Sequence, residues 1–270
     1  MSSTNTNKQR KNLSILILFV IISYSITWSI LFPLSLIYTE LSIIEREVWH
    51  SFGSIGPCIG GIIAIYLLKR DKGLKMLKQR ITKFAGWNLF LFAFSPLIIL
   101  FISLLFESIL GFFNLSTFLA ENQITDIGSI FIFILPSLCY GFFEEIGWRG
   151  FFLPKLQGRF NALSSTLILT IIWWFWHFPA FFYRFDLFFA LIFMFPLMLA
   201  GSITFTFLFN QSNGSILMLI IIHISYDIVS AHQISIIAII LVSIFYISMT
   251  IRVIKLYGIK NLSMKEKTTL

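Results

Sequence analysis

Charge and cysteine are both scarce in this chain, and each scarcity removes a class of protein. Only 12% of its 270 residues are Asp, Glu, Lys or Arg, against about 25% in a soluble domain. Cys58 and Cys139 are its two cysteines, too few for a disulfide framework or a Cys-rich zinc site. Three catalytic signatures are absent as well. No HExxH zincin helix, no GxxxxGK[ST] phosphate loop and no GxSxG serine elbow occurs. What fills the chain instead is apolar: 57% hydrophobic residues, with 32 Phe, 7 Trp and 8 Tyr, at a mean hydropathy of +0.89. Disorder is excluded by that much apolar surface. In such a chain a net charge of +8 points to cytoplasmic loops and not to nucleic acid.

A bilayer core about 30 Å thick is crossed by roughly 20 apolar residues of helix. Eight runs qualify, near 13–36, 51–68, 86–106, 127–153, 164–183, 187–209, 213–230 and 233–251. The fold expected is all-α, a polytopic membrane protein of about eight helices. The chain divides into residues 1–126, holding three helices and a basic loop; 127–230, four helices; and 231–270, a last helix and a basic tail. With the amino terminus inside, the inner segments hold 18 of the 20 basic residues, and only Arg46 and Arg184 fall outside. The outer segments collect Glu40, Glu45, Glu47, Glu107, Glu121, Asp126 and Asp186. This asymmetry is the one the positive-inside rule demands, with both termini cytoplasmic. Residues 69–84 place Leu74, Leu77 and Ile81 at helical spacing among basic residues, which predicts a helix lying along an anionic inner leaflet. The tail from Lys260 to Leu270 reads as disordered.

Ionisable groups within a span are costly and therefore mark function by default. Six stand out: Glu144, Glu145, Arg149, His177, His223 and Asp227. At 1.5 Å of rise per residue, Glu144 and His223 lie about 14 Å, and His177 about 18 Å, from the inner ends of their helices. Three helices thus bring carboxylates and imidazoles to one depth. Glu145 and Arg149 are four apart, share a helix face and can pair. Glu144 projects about 100° away and is free to face a cavity as a general base. His223 and Asp227 are also four apart, as are Trp173 and His177. His50 and His232, at the outer ends, read as interfacial. Taken singly, the Glu145–Arg149 pair could be structural and either imidazole a packing residue; the tryptophans 173, 174 and 176 read as packing or an interfacial belt.

Glu144-Glu145-Ile146-Gly147-Trp148-Arg149 resembles the EExxxR motif of the CPBP family, the CAAX-protease and bacteriocin-processing (Abi) intramembrane proteases. Trp173 to His177 is similar to that family's FxxxH, with Trp for Phe. His223 to Asp227 is similar to its HxxxN, with Asp for Asn. The resemblance implies eight helices around a cytoplasm-facing intramembrane cavity, and endoproteolysis of a membrane-associated, prenylated or other peptide substrate. It implies Glu144 as the base that activates water, His177 as its helper, Glu145 and Arg149 as supports, and His223 with residue 227 as the oxyanion site. An ionised Asp227 cannot donate as Asn does. It must be protonated, orient His223, or ligate a metal; zinc then remains an alternative to a mechanism with no cofactor. Two non-protease readings stand beside this one: a non-catalytic protein of bacteriocin immunity or altered cell-wall sensitivity, and a proton-coupled transporter. The Ile-, Asn- and Lys-rich usage suggests a bacterial source.

Overall fold

The computed structural model describes residues 3–232 and 234–270. Among them the chain is helical, without strands. In order, the helices are α1 (Ser3–Ile37), α2 (Ile43–Phe52), α3 (Ile55–Ile81), α4 (Trp87–Ala93), α5 (Ser95–Ile109) and α6 (Leu115–Glu121). They continue with α7 (Ile127–Gly147), α8 (Leu153–Gln157), α9 (Ala162–Trp176) and α10 (Leu187–Phe189). The last three are α11 (Phe195–Gln211), α12 (Ile216–Ser230) and α13 (Ile236–Asn261).

Five helical stretches are long and apolar enough to cross a bilayer, and α4 with α5, bent by 54°, makes a sixth. This is a multi-pass membrane protein. The remaining two expected spans fall on α9 and α12, which are apolar but only 15 residues long, about 22 Å of helix. The bend between α4 and α5 sits at Phe94, where Pro96 opens the second helix and withholds a backbone donor. Similarly, α9 stops at Trp176 and does not run on to 183. Pro179 follows within three residues, inside a short 3₁₀ turn at Phe178–Phe182, because a helix cannot continue into a proline ring. The tight hairpin expected at 184–186 is therefore a longer connection.

The helix ends gather into two groups. At one end Lys83 Nζ donates to the Asn213 carbonyl at 2.9 Å, Lys155 Nζ to Asn12 at 2.7 Å, and Lys267 Nζ to the Phe160 carbonyl at 2.6 Å. At the other, Arg184 pairs with Glu47 through both carboxylate oxygens at 2.6 and 2.8 Å. Ser137 meets His232 there at 3.1 Å. We call these the basic and the acidic end. The sharp turn from α11 to α12 passes through Asn213 and Gly214 at positive φ (53° and 79°), as the polar turn cluster at 210–214 requires.

Two expectations need correction at the basic end. The helix over 69–81 does form, beyond a break at Arg70 (φ 51°). Its apolar stripe packs inward, with Leu77 buried and Leu74 and Ile81 against the core. The tail is also ordered. Gln157 and Asn210, both fully buried, exchange amide hydrogen bonds at 3.0 and 2.9 Å and grip it through the Thr268 backbone and the Asn261 carbonyl. Composition alone could not show this, because the partners of a polar tail lie about 50 to 110 residues away.

Candidate active site

α7 opens on a capping box, in which Asp126 accepts the Ser129 N–H at 2.8 Å; that bond holds the Asp126 carboxyl below its ordinary range. Two close approaches then fix the far half of the helix. A Cβ on Gly141 would come within 2.9 Å of the Ile224 backbone nitrogen, and one on Gly147 within 2.3 Å of the Pro57 carbonyl oxygen. The missing side chains let α12 and α3 press directly against α7, which brings Glu145 to His223. After Gly147 the chain widens into one π-helical turn, Trp148–Phe152, a distortion common at functional sites. α9 is braced by α1, whose Trp28 Nε1 donates to the Trp176 carbonyl at 3.1 Å.

The structure brings all six predicted residues together. Glu145 Oε1 accepts from Arg149 Nη1 at 2.8 Å and from His223 Nδ1 at 2.7 Å. The Arg149 guanidinium lies over the Trp173 and Phe205 rings, 4.7 and 5.0 Å from their centroids, an arrangement that supports a buried cation. Both glutamates and Arg149 are fully buried. A carboxylate only accepts, so Nδ1 of His223 carries a proton and Nε2 turns the other way. There it stands 3.6 Å from Asp227 Oδ2.

Glu144 is not unpaired, as spacing alone suggested. Its Oε2 accepts the indole N–H of Trp148, at 3.0 Å, and that of Trp173. Its Oε1 is buried with no hydrogen-bond partner in the protein and lies 3.9 Å from His177 Nε2. His177 caps α9, and its Nδ1 lies 2.8 Å from the Trp173 carbonyl. A carbonyl cannot donate, so Nδ1 holds the proton and, in neutral imidazole, Nε2 presents a lone pair. Two acceptors therefore face each other across a narrow gap.

Glu144, His177, His223 and Asp227 line one cavity of about 500 Å³. It runs from Glu144 toward the acidic end, where His50, Tyr140 and Arg184 also line it. His50 is thus buried beside the cavity and not interfacial, with its Nδ1 2.7 Å from the Tyr183 hydroxyl. Sequence reasoning missed the indole donors. Trp148 lies four residues after Glu144 and was legible by that spacing. Trp173 was noted only as a neighbour of His177, and its reach to another helix leaves no local signal. As for a metal, among the described residues no three His, Cys, Asp or Glu side chains are grouped to hold one. Glu145 Oε1 is already engaged twice, by Arg149 and by His223.

Residues 126–229, the segment that carries all six of the predicted site residues, match the family model of type II CAAX prenyl endopeptidases, Rce1-like. CAAX prenyl protease 2 of Methanococcus maripaludis is 32% identical over 90 residues. The match covers 30% of this chain and 33% of that relative, so the chain spans about a third of the length of the curated relative it matches. The matched segment coincides with α7 to α12, the helices that build the cavity wall around Glu144.

Proposed function

We propose that this protein is an intramembrane endopeptidase in which Glu144 activates the water that attacks the peptide bond. One observation carries the reading: Glu144 Oε1, buried and without a protein partner, faces the Nε2 lone pair of His177 at 3.9 Å. A water between them gives one hydrogen bond to each and keeps a lone pair for the scissile carbonyl. Glu144 takes a proton as the water attacks, then delivers it to the leaving amine. The two indole donors on Oε2 leave Oε1 as the basic oxygen. His223, tied to Glu145 through Nδ1, presents Nε2 to the cavity and, when doubly protonated, donates to the tetrahedral oxyanion. Arg149 and Glu145 are positioning residues for that ring. Asp227 at 3.6 Å from Nε2 orients the imidazolium when ionised and donates directly only when protonated.

No step here uses a metal; stoichiometric zinc that disappears on changing Asp227 would replace this mechanism. The relative's name suggests a prenylated or otherwise membrane-associated peptide as substrate. The deciding experiment is cleavage of a broad peptide library by detergent-purified protein, with Glu144→Gln beside it. Cleavage by the parent and its loss in Glu144→Gln is the expected result, while unchanged cleavage in Glu144→Gln removes the mechanism. The acidic Asp227 beside the oxyanion position favours one second reading, a protein that binds a partner without hydrolysis. It gains if no form cleaves and Glu144→Gln leaves the cellular phenotype intact.

A further inference from the structure

The cavity has a closed side and an open side, and they are the reverse of what a cytoplasmic substrate needs. Below Glu144, toward the basic end, Trp148, Phe151, Phe152, Leu153 and Leu156 are all at most 4% exposed, and Leu208 and Phe209 are fully buried beside them. Beneath this plug lies the tail, held by the Gln157–Asn210 amide pair and by Arg80 Nη2, which donates to the Thr269 carbonyl at 3.0 Å. Arg80 also lies over the Phe209 ring, 5.9 Å from its centroid. Toward the acidic end, one side of the cavity wall becomes exposed, while His50, Tyr140 and Tyr246 stay buried. Glu144 is fully buried, Tyr226 and Ser230 are half-buried, and Asp186 is exposed. Met194, Leu197 and Met198 of the α10–α11 region and Ile239 of α13 line the same passage. Gly201 within it has nothing within 4 Å of where a Cβ would stand.

The charges orient this passage. The basic segment from Lys69 to Lys83 and the tail lysines gather at the sealed end, whereas Glu47, Asp126 and Asp186 gather at the open one. Basic loops are retained in the cytoplasm. The charge asymmetry and a cytoplasm-facing cavity are therefore incompatible in this structure.

We propose that the cavity is entered from the extracytoplasmic face, and that its substrate is an extended, apolar segment of an exported or membrane-embedded peptide. The substrate half of this statement rests on the endopeptidase reading; the direction of entry does not. Methionine and leucine side chains along the passage suit apolar residues, and the Glu144–His177 pair waits at its closed end.

The test is thiol accessibility in the full-length chain, with Cys58→Ala and Cys139→Ala as background. Ser243→Cys, nearly isosteric and lining the passage, and Gly201→Cys, where a side chain has room, serve as reporters. Lys72→Cys marks the basic end. The probe is a membrane-impermeant maleimide applied to intact cells and to inverted vesicles, with a monodisperse size-exclusion profile verifying each fold. Labelling of both cavity reporters in intact cells, with Lys72→Cys labelled only after inversion, is the expected result. Reporters labelled only in inverted vesicles, reporters labelled from neither face, or Lys72→Cys labelled in intact cells would each overturn the proposal. Labelling does not depend on hydrolysis, so failure of every cleavage assay counts against the endopeptidase reading and leaves the direction of entry to be judged separately.

Discussion

Two buried polar clusters lie a short distance apart along one stretch of chain, and they are built on opposite principles. At the basic end, Gln157 and Asn210 satisfy each other reciprocally and spend their remaining amide capacity on the Thr268 backbone and the Asn261 carbonyl. Where α7 runs into the π-helical segment, Glu144 Oε1, Glu145 Oε2, and Nε and Nη2 of Arg149 are buried without hydrogen-bond partners. Unsatisfied buried polar atoms cost about 1–3 kcal/mol each, more when charged. The amide cluster avoids that cost and acts as a structural clasp. The carboxylate cluster bears it, which is the pattern expected where groups must stay available to a substrate or a water.

This contrast can be broken from either side. The largest effect is expected at Glu144. Glu144→Gln keeps an oxygen for the two indole donors but removes the base, so peptide cleavage should fall by about 10²–10⁴-fold with little change in thermal stability. Measured turnover and melting temperature in detergent check this together. Next is Arg149→Ala, which strands the Glu145 carboxylate in the core. It should destabilise the fold by about 3–5 kcal/mol, and differential scanning in detergent would register it. If stability is unchanged, Glu145 is not the buried anion described here. At the clasp, Asn210→Leu takes the donor from Gln157 Oε1 and the acceptor from the Thr268 N–H, a loss of about 1–3 kcal/mol. The double variant Gln157→Leu/Asn210→Leu should lose less than the two single variants summed, and both should keep the cleavage rate of the parent. Smallest is Ser215→Ala, which removes the cap accepted from Met218 N–H at 3.3 Å and the bond to the Lys83 carbonyl. Its expected cost is ~1 kcal/mol, read as an earlier unfolding transition with the active-site residues untouched.

The site was legible in the sequence because its motifs are local. Glu145 with Arg149 and His223 with Asp227 share helix faces by spacing alone, and in a bilayer each ionisable residue stands out against an apolar background. The indole donors to Glu144 were half legible: Trp148 by its spacing, Trp173 only once α9 is packed beside α7. The clasp was invisible. Gln157, Asn210 and Thr268 are ordinary polar residues in three separate segments, and nothing in their neighbourhoods predicts that they meet. The short α9 was foreseeable from Pro179, which the apolar run around it conceals.

Composition and charge order determined that this chain is an all-α membrane protein, which of its segments gather at the basic end, and which six ionisable side chains come together within the helices. These properties follow from the bilayer, where an apolar run of about 20 residues satisfies its backbone as a helix and every buried charge is conspicuous. Which oxygen of Glu144 is left free, how the tail is held, and toward which end the cavity runs were decided only by the tertiary structure. Each depends on contacts between residues distant in the chain, and packing of α3, α9 and α12 around α7 is what brings them within reach.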